Sequence, residues 1–325
     1  MGLWQSIREF LGPEPAVDAA VVHGIAHAVE VIDPVLKVVG GLEQQLGGPV
    51  AHALAYCADL VEQLPPPLDV SHGRFATDPL VHALFAAADD IDLMLGRSAG
   101  LREYLTDGDN AFSVECYALL GMRRNQKTML GMALHGDVLQ AESPRKFLYF
   151  TDHTLYELSQ SEEETRRRLQ FAAFDSLIHK FADELAQQRK ARDELRLTWE
   201  AERASGHGEL LPDEKSWRIS TLEARYHEAM AALAPEQVVR RFGEWLQVPE
   251  QHIYLEPCTA TVDGMGLLVE PDENRSDIYT LQCPQLVSRD RRRWIVMLVR
   301  LSCSEAREAV VQQERNEAAM RNLWL

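Results

Sequence analysis

Apolar residues recur every three or four positions over three stretches near the start, about 15–33, 34–46 and 49–64, which places them on one face of a helix. Asp33-Pro34, Gly40-Gly41, Gly47-Gly48-Pro49 and Pro65-Pro66-Pro67 divide these stretches. Proline and paired glycines stop helices, so short antiparallel neighbours are predicted. Asp78-Pro79 opens a helix over 78–95 and Ser98 another over 98–106, each with a capping side chain at its start. Before all of these, Leu3, Trp4, Ile7, Phe10 and Leu11 make a short amphipathic helix that ends at Gly12-Pro13. The plain expectation is that it docks on its own domain. Trp and Phe on one face also suit a membrane surface reached through residues 1–12, or a partner, although the acidic surroundings repel anionic lipid.

After Asn110 the pattern changes to short runs rich in aromatic and branched residues. Ser113 to Met122, Thr128 to His135, Val138 to Ala141, Phe147 to Thr151 and Thr154 to Leu158 are separated by Arg124-Asn125-Gln126, Gly136-Asp137 and Ser143-Pro144. Such spacing predicts an antiparallel meander of three or four strands. Ser161 followed by three glutamates caps a long helix. Its apolar seam, Phe174, Ile178, Phe181, Leu185, Leu195 and Trp199, is interrupted by Gln188 and Arg192, which suits a helical hairpin better than a long coiled coil. The facing stripe is Ile219, Leu222, Tyr226, Met230 and Leu233 in a helix over 214–233, across a loop at Ala204 to Pro212. A helix from Pro235 to Leu246 precedes a second set of strands at 252–262, 265–270, 277–287 and 293–302, and a helix over 304–322 follows.

The fold class is therefore α+β, predominantly helical, with an antiparallel β core built from two meanders and a helical hairpin insertion. One short meander is barely stable alone, so both strand regions are expected in one sheet or barrel. The domain reading is an acidic helical domain over 1–110, a β core from 111–160 plus 251–303, a hairpin insertion over 161–250 and a C-terminal helix over 304–325.

Composition refines this. The 325 residues are 46% hydrophobic and 26% charged, ordinary globular values, with 33 Lys plus Arg against 50 Asp plus Glu and a net charge of −17. Residues 1–110 alone hold 5 basic and 16 acidic residues, a net −11. An acid excess argues against nucleic acid as a partner, because that affinity comes largely from cations meeting phosphates. The five cysteines, Cys57, Cys116, Cys258, Cys283 and Cys303, are spread out with no C-x-x-C, the usage of reduced thiols in a cytoplasmic protein. No window has the run of uncharged apolar residues a membrane span needs, so no transmembrane segment is expected.

Chemistry is harder to read. Nucleotide-binding glycine loops, G-x-S-x-G and H-E-x-x-H are absent from the sequence, which therefore names no cofactor and does not decide whether the chain is an enzyme. His23 and His27 lie one helical turn apart, and His52 or Cys57 would be needed to complete a metal site, but imidazoles among Ala and Val are more often satisfied core residues, so no metal is assigned. Asp152-His153 follows the aromatic run at 147–150, where an acid–base role competes with a turn aspartate satisfying backbone amides. The sharpest positive feature is a pair of basic runs. If they meet at one end of a common sheet, Arg123, Arg124, Lys127, Arg289, Arg291, Arg292 and Arg293 form a positive patch for a phosphate-bearing ligand, an RNA segment or an acidic protein surface; otherwise they are solvated turns that protect sheet edges.

The leading expectation is a non-enzymatic accessory or scaffold protein acting through protein–protein interaction, with a protein partner or a homo-oligomer. One alternative is a small-molecule- or phosphate-binding protein or enzyme, with a site at the junction of β core and helices that draws on His135, Asp152 or His153. Another is a peripheral membrane protein anchored through the N-terminal amphipathic helices.

Overall fold

The computed structural model describes residues 17–135, 138–204, 212–263, 266–269, 278–288 and 293–323. The opening amphipathic stretch, the Gly136-Asp137 turn, nearly all of the 204–212 loop and the basic residues Arg289, Arg291 and Arg292 lie outside them. The chain divides into two compact units, residues 17–57 with Phe171–Ile253, and Ala58–Gln170 with Tyr254–Leu325.

The second unit is organised around strands β1 Leu68–Val70, β2 Glu115–His135, β3 Val138–Ser159, β4 Tyr254–Asp263, β5 Ile278–Val287 and β6 Arg293–Ser302. The five short strands expected over 113–158 are in fact two long ones, paired from Tyr117↔Ser159 to His135↔Val138. Register shifts at three points bend the ribbon without ending it, and two of them accompany residues with positive φ in β3, Asp152 at 58° and Glu157 at 52°. Arg124-Asn125-Gln126 lies within the β2 ladder, opposite Phe150, Tyr149 and Leu148. Pro144, which looks like a turn residue, pairs with Leu130 in β3, where an edge position tolerates the missing N–H.

Both strand regions share one sheet, as expected, in the order β3-β2-β6-β5-β4. β2 meets β6 from Glu115↔Ser302 to Met122↔Ile295, and on its other side β6 pairs with β5 at residues 293–295 and in parallel with β1 at 299–301. The two outer strands are joined by residues 266–269. Leu148 N–H donates to Gly266 O at 2.9 Å, Leu268 N–H to Lys146 O at 2.8 Å and Val269 N–H to Thr261 O at 3.0 Å, so β3 and β4 connect through this segment into a barrel. Gly266 adopts φ +78°, and a Cβ there would sit 3.0 Å from Leu148 O, so the join needs glycine. The inner face buries Ala118, Leu120, Met122, Leu148, Phe150, Val262, Leu281, Ile295, Met297 and Val299.

Helices of this unit are α3 His72–Thr77, α4 Pro79–Leu84, α5 Ala88–Arg97, α6 Ala99–Thr106 and α10 Cys303–Leu323. The single helix expected over 78–95 is interrupted at Phe85, which is buried and stacks on the His153 ring at 4.6 Å. Tertiary packing outweighs local propensity there. Gly96 lets α5 and α10 cross closely, since a Cβ would lie 2.8 Å from Ala309 O.

The first unit is helical: α1 Val17–Ile32, α2 from Leu42, the long α7 of Glu162–Ala204 from Phe171 onward, α8 Pro212–Ala232 and α9 Pro235–Leu246. Asp33-Pro34 divides as expected, with the Asp33 carboxylate accepting from Val35 N–H at 2.9 Å to start a short 3₁₀ turn, and Gly41 at φ +68° leads into α2. Gly47-Gly48-Pro49, expected to end a helix, lies inside α2, which runs on to Glu62. Burial of Leu46 and Val50 on either side holds that turn against the proline's cost. A Cβ on Gly24 would meet Val50 at 3.0 Å and Phe174 at 3.3 Å, so α1, α2 and α7 converge there. Phe181 completes this core against Phe242 and Trp245 of α9, at 5.0 and 5.6 Å between rings.

Candidate functional site

The basic runs were expected at two turns, but Arg123, Arg124 and Lys127 sit within β2, and of the second run the described residues include only Arg293. Continuing the β2–β6 register past Met122↔Ile295 brings Arg123 level with Trp294 and Arg124 level with Arg293. Arg123 lies over the Trp294 ring at 5.1 Å and pairs with Asp152 at 3.2 Å. Arg293 pairs with Glu256 at 3.7 Å. Arg124 turns inward and donates from Nη1 to Cys258 Sγ at 3.3 Å, while Lys127, opposite Phe147, is exposed. Two of these cations therefore face carboxylates, in exposed pairs worth about 0–1 kcal/mol each. Arg123, Arg124 and Arg293 are thus each engaged with a different side chain, and Lys127 is exposed.

Asp152 and His153 separate as alternation along a strand requires. Asp152 faces Arg123, whereas His153 is packed under Phe85 with its Nε2 2.8 Å from Leu84 O. That contact makes Nε2–H the donor, and burial holds the imidazole below its ordinary value, so His153 is a neutral structural group. His135 falls at the end of β2, where only the backbone is described.

His23 and His27 share a face of α1, with parallel rings 6.4 Å apart. His52 is exposed, and burial pushes the Cys57 thiol up to about 12. The partner that His27 meets is Asp175, 2.7 Å from Nε2, whose other carboxylate oxygen lies 3.2 Å from His179 Nδ1. Asp175 and His179 lie one turn apart on α7, whereas His27 reaches Asp175 across 148 positions. Among the described residues no group of three or more His, Cys, Asp or Glu is placed to hold a metal ion.

Two larger features remain. In the barrel unit an open cleft of about 570 Å³ lies beside the closing segment, lined by Phe75, His82, Phe85, Tyr149, Phe150 and Tyr279 among others. Asp78 and Asp263 stand among the rings and small residues of its lining, and none of Arg123, Arg124, Lys127 and Arg293 contributes to it. In the helical unit, the distal part of α7 and all of α8 form the predicted hairpin. Trp199 stacks on Tyr226 at 5.8 Å, Arg203 lies over Trp199 at 5.2 Å and Arg218 meets Glu202 at 3.6 Å.

The seam residues differ sharply along α7. Phe174, Ile178, Phe181 and Leu185 are at most 3% exposed, whereas no described residue from 186 to 232 is buried. Leu195, Trp199, Ile219, Leu222 and Tyr226 keep the facing positions half-buried, because two helices alone cannot cover a seam. Leu197 and Trp217, each two residues from a seam position, Leu195 and Ile219, point outward and are 59% and 69% exposed. Residues 186–232 carry 8 basic and 9 acidic residues, a net −1 in a chain of −17.

No family model, no curated protein and no solved structure matches the chain.

Proposed function

We propose that the protein is a non-enzymatic accessory or scaffold protein that acts through protein–protein interaction, with the α7–α8 hairpin as its docking element and a second copy of the chain as occupant. The observation that carries this reading is the hairpin seam, in which no described side chain from residue 186 to 232 is fully buried, so that Leu195, Trp199, Ile219, Leu222 and Tyr226 stay half-open. A second hairpin would cover the seam as the facing pair of a four-helix arrangement. Near-neutrality favours self-pairing at this element, where like-charge repulsion between two copies of an acidic chain is small.

Analytical ultracentrifugation of the full chain tests this, with the half-buried seam residues changed in Leu195→Glu/Leu222→Glu as the variant and circular dichroism to show that the helices persist. The wild type is expected to self-associate, and the double variant to weaken association by at least about tenfold, or ~1.4 kcal/mol. A wild type that stays monomeric at about 100 µM, where even a weak dimer is populated, or a variant that associates equally well, overturns the reading.

A further inference from the structure

Four of the five cysteines fall into two facing pairs, and all five are free thiols. Cys116 and Cys303 are fully buried, and a hydrogen bond between them pushes Cys116 up and Cys303 down. The other pair is more open. Cys258 of β4 is directly opposite Cys283 of β5, within a register unbroken from Tyr254↔Val287 to Asp263↔Ile278. The neighbouring pair is Pro257↔Pro284. Prolines have no N–H to exchange, so theirs is a non-hydrogen-bonded pair, and alternation makes Cys258↔Cys283 a hydrogen-bonded one with Cα atoms about 5.5 Å apart. That separation lies within the range a disulfide spans, and directly opposed side chains share a face.

The two thiols are not equivalent. Cys283 is 4% exposed, and burial pushes its thiol up to about 11. Cys258 is half-buried and receives the Arg124 Nη1 donor at 3.3 Å. Arg124 Nε is buried with no hydrogen-bond partner among the described residues, so the guanidinium has unused capacity beside the sulfur. Arg124 thus places a charged donor against Cys258, the more open of the two sulfurs.

We propose that Cys258 and Cys283 form a reversible cross-strand disulfide in response to hydrogen peroxide, with Cys258, the more open sulfur, attacking first and Cys283 as the resolving thiol. The Cys258 sulfur attacks one peroxide oxygen. An S–O bond forms, the O–O bond breaks, and the departing oxygen leaves as water after taking a proton, so that two electrons pass from sulfur to peroxide. Cys283 sulfur then attacks the sulfenic acid; an S–S bond forms, the S–O bond breaks, and the hydroxyl leaves as a second water with the Cys283 proton. A small dithiol restores both thiols, itself becoming a disulfide.

Treating the full chain with hydrogen peroxide, blocking the remaining thiols with a maleimide and mapping peptides by mass spectrometry tests the assignment. Expected are a Cys258–Cys283 cross-link reversed by dithiothreitol, three blocked cysteines at positions 57, 116 and 303, and no cross-link in Cys258→Ser. In Cys283→Ser, Cys258 is expected to accumulate as a dimedone-trapped sulfenic acid. Should Cys283→Ser fail to fold by circular dichroism, the wild-type map and Cys258→Ser decide alone. A cross-link between Cys116 and Cys303 instead, or five thiols still free after peroxide, overturns the proposal.

Discussion

At the scale of single residues, environment separates side chains that look alike in the sequence. His153 and His252 are both held below the ordinary histidine value, chiefly by burial, His252 down to about 4. His252 stacks on Trp245, with Lys180 and Glu250 as charged neighbours that lower and raise it respectively. An unfolded chain binds a proton at this histidine below about 6.5, whereas the folded one does not until about 4, so its effect is to reduce stability as pH falls through that window. His252→Phe should therefore gain on the wild type when urea midpoints are compared at pH 7.5 and pH 5, by no more than about 1 kcal/mol after discounting for partial exposure. A difference between the two proteins that is the same at both pH values would contradict this account. None of it was legible in the sequence, where His252 is the first residue of an expected strand, whereas β4 starts at Tyr254. Nor was Asp175 between His27 and His179, because the spacing rules that identify neighbours act only along one helix.

At the scale of elements, periodicity located the stripes, while bounds were missed where packing carries a helix through a local stop signal or where no alternation separates strand from turn. Helix α9 matches its expected bounds, Pro235 to Leu246, because Val238, Val239, Phe242 and Leu246 are all buried and proline marks its start. The far part of the β2–β3 ribbon carries exposed Gln126, Lys127, Thr128, Met129 and Leu130 in succession, so no alternation separates strand from turn. In α2 the glycines and proline were read as a stop, yet packing at Leu46 and Val50 carries the helix through. A Cβ at Gly47 or Gly48 would meet nothing within 4 Å. Gly47→Ala/Gly48→Ala should accordingly stabilise the protein by about 0.5–1 kcal/mol per site, seen as a higher thermal midpoint by calorimetry. The hairpin seam was read correctly from its 3-4 spacing, but its half-open state was not, since spacing locates a stripe and says nothing of what covers it.

At the scale of the whole molecule, the acid excess is divided more evenly than the sequence order suggests. The residue sets of the two compact units carry net charges of −8 and −9. Self-repulsion of this kind is long-ranged and is screened by salt, whereas the exposed ion pairs that salt weakens contribute little individually. Raising NaCl from about 0.05 to 0.5 M should thus increase the thermal midpoint by a few degrees, equivalent to about 1 kcal/mol for a chain of this size. A midpoint that falls would show that local pairs outweigh the net field. The order of the strands has a further consequence during synthesis. β2 pairs with β3 almost immediately, but its other edge belongs to β6, which leaves the ribosome only after residues 160–292 have been made. At about 5–20 residues per second the open edge waits for roughly 7 to 30 s, long enough for a nascent chain to need shielding from its neighbours on the same message.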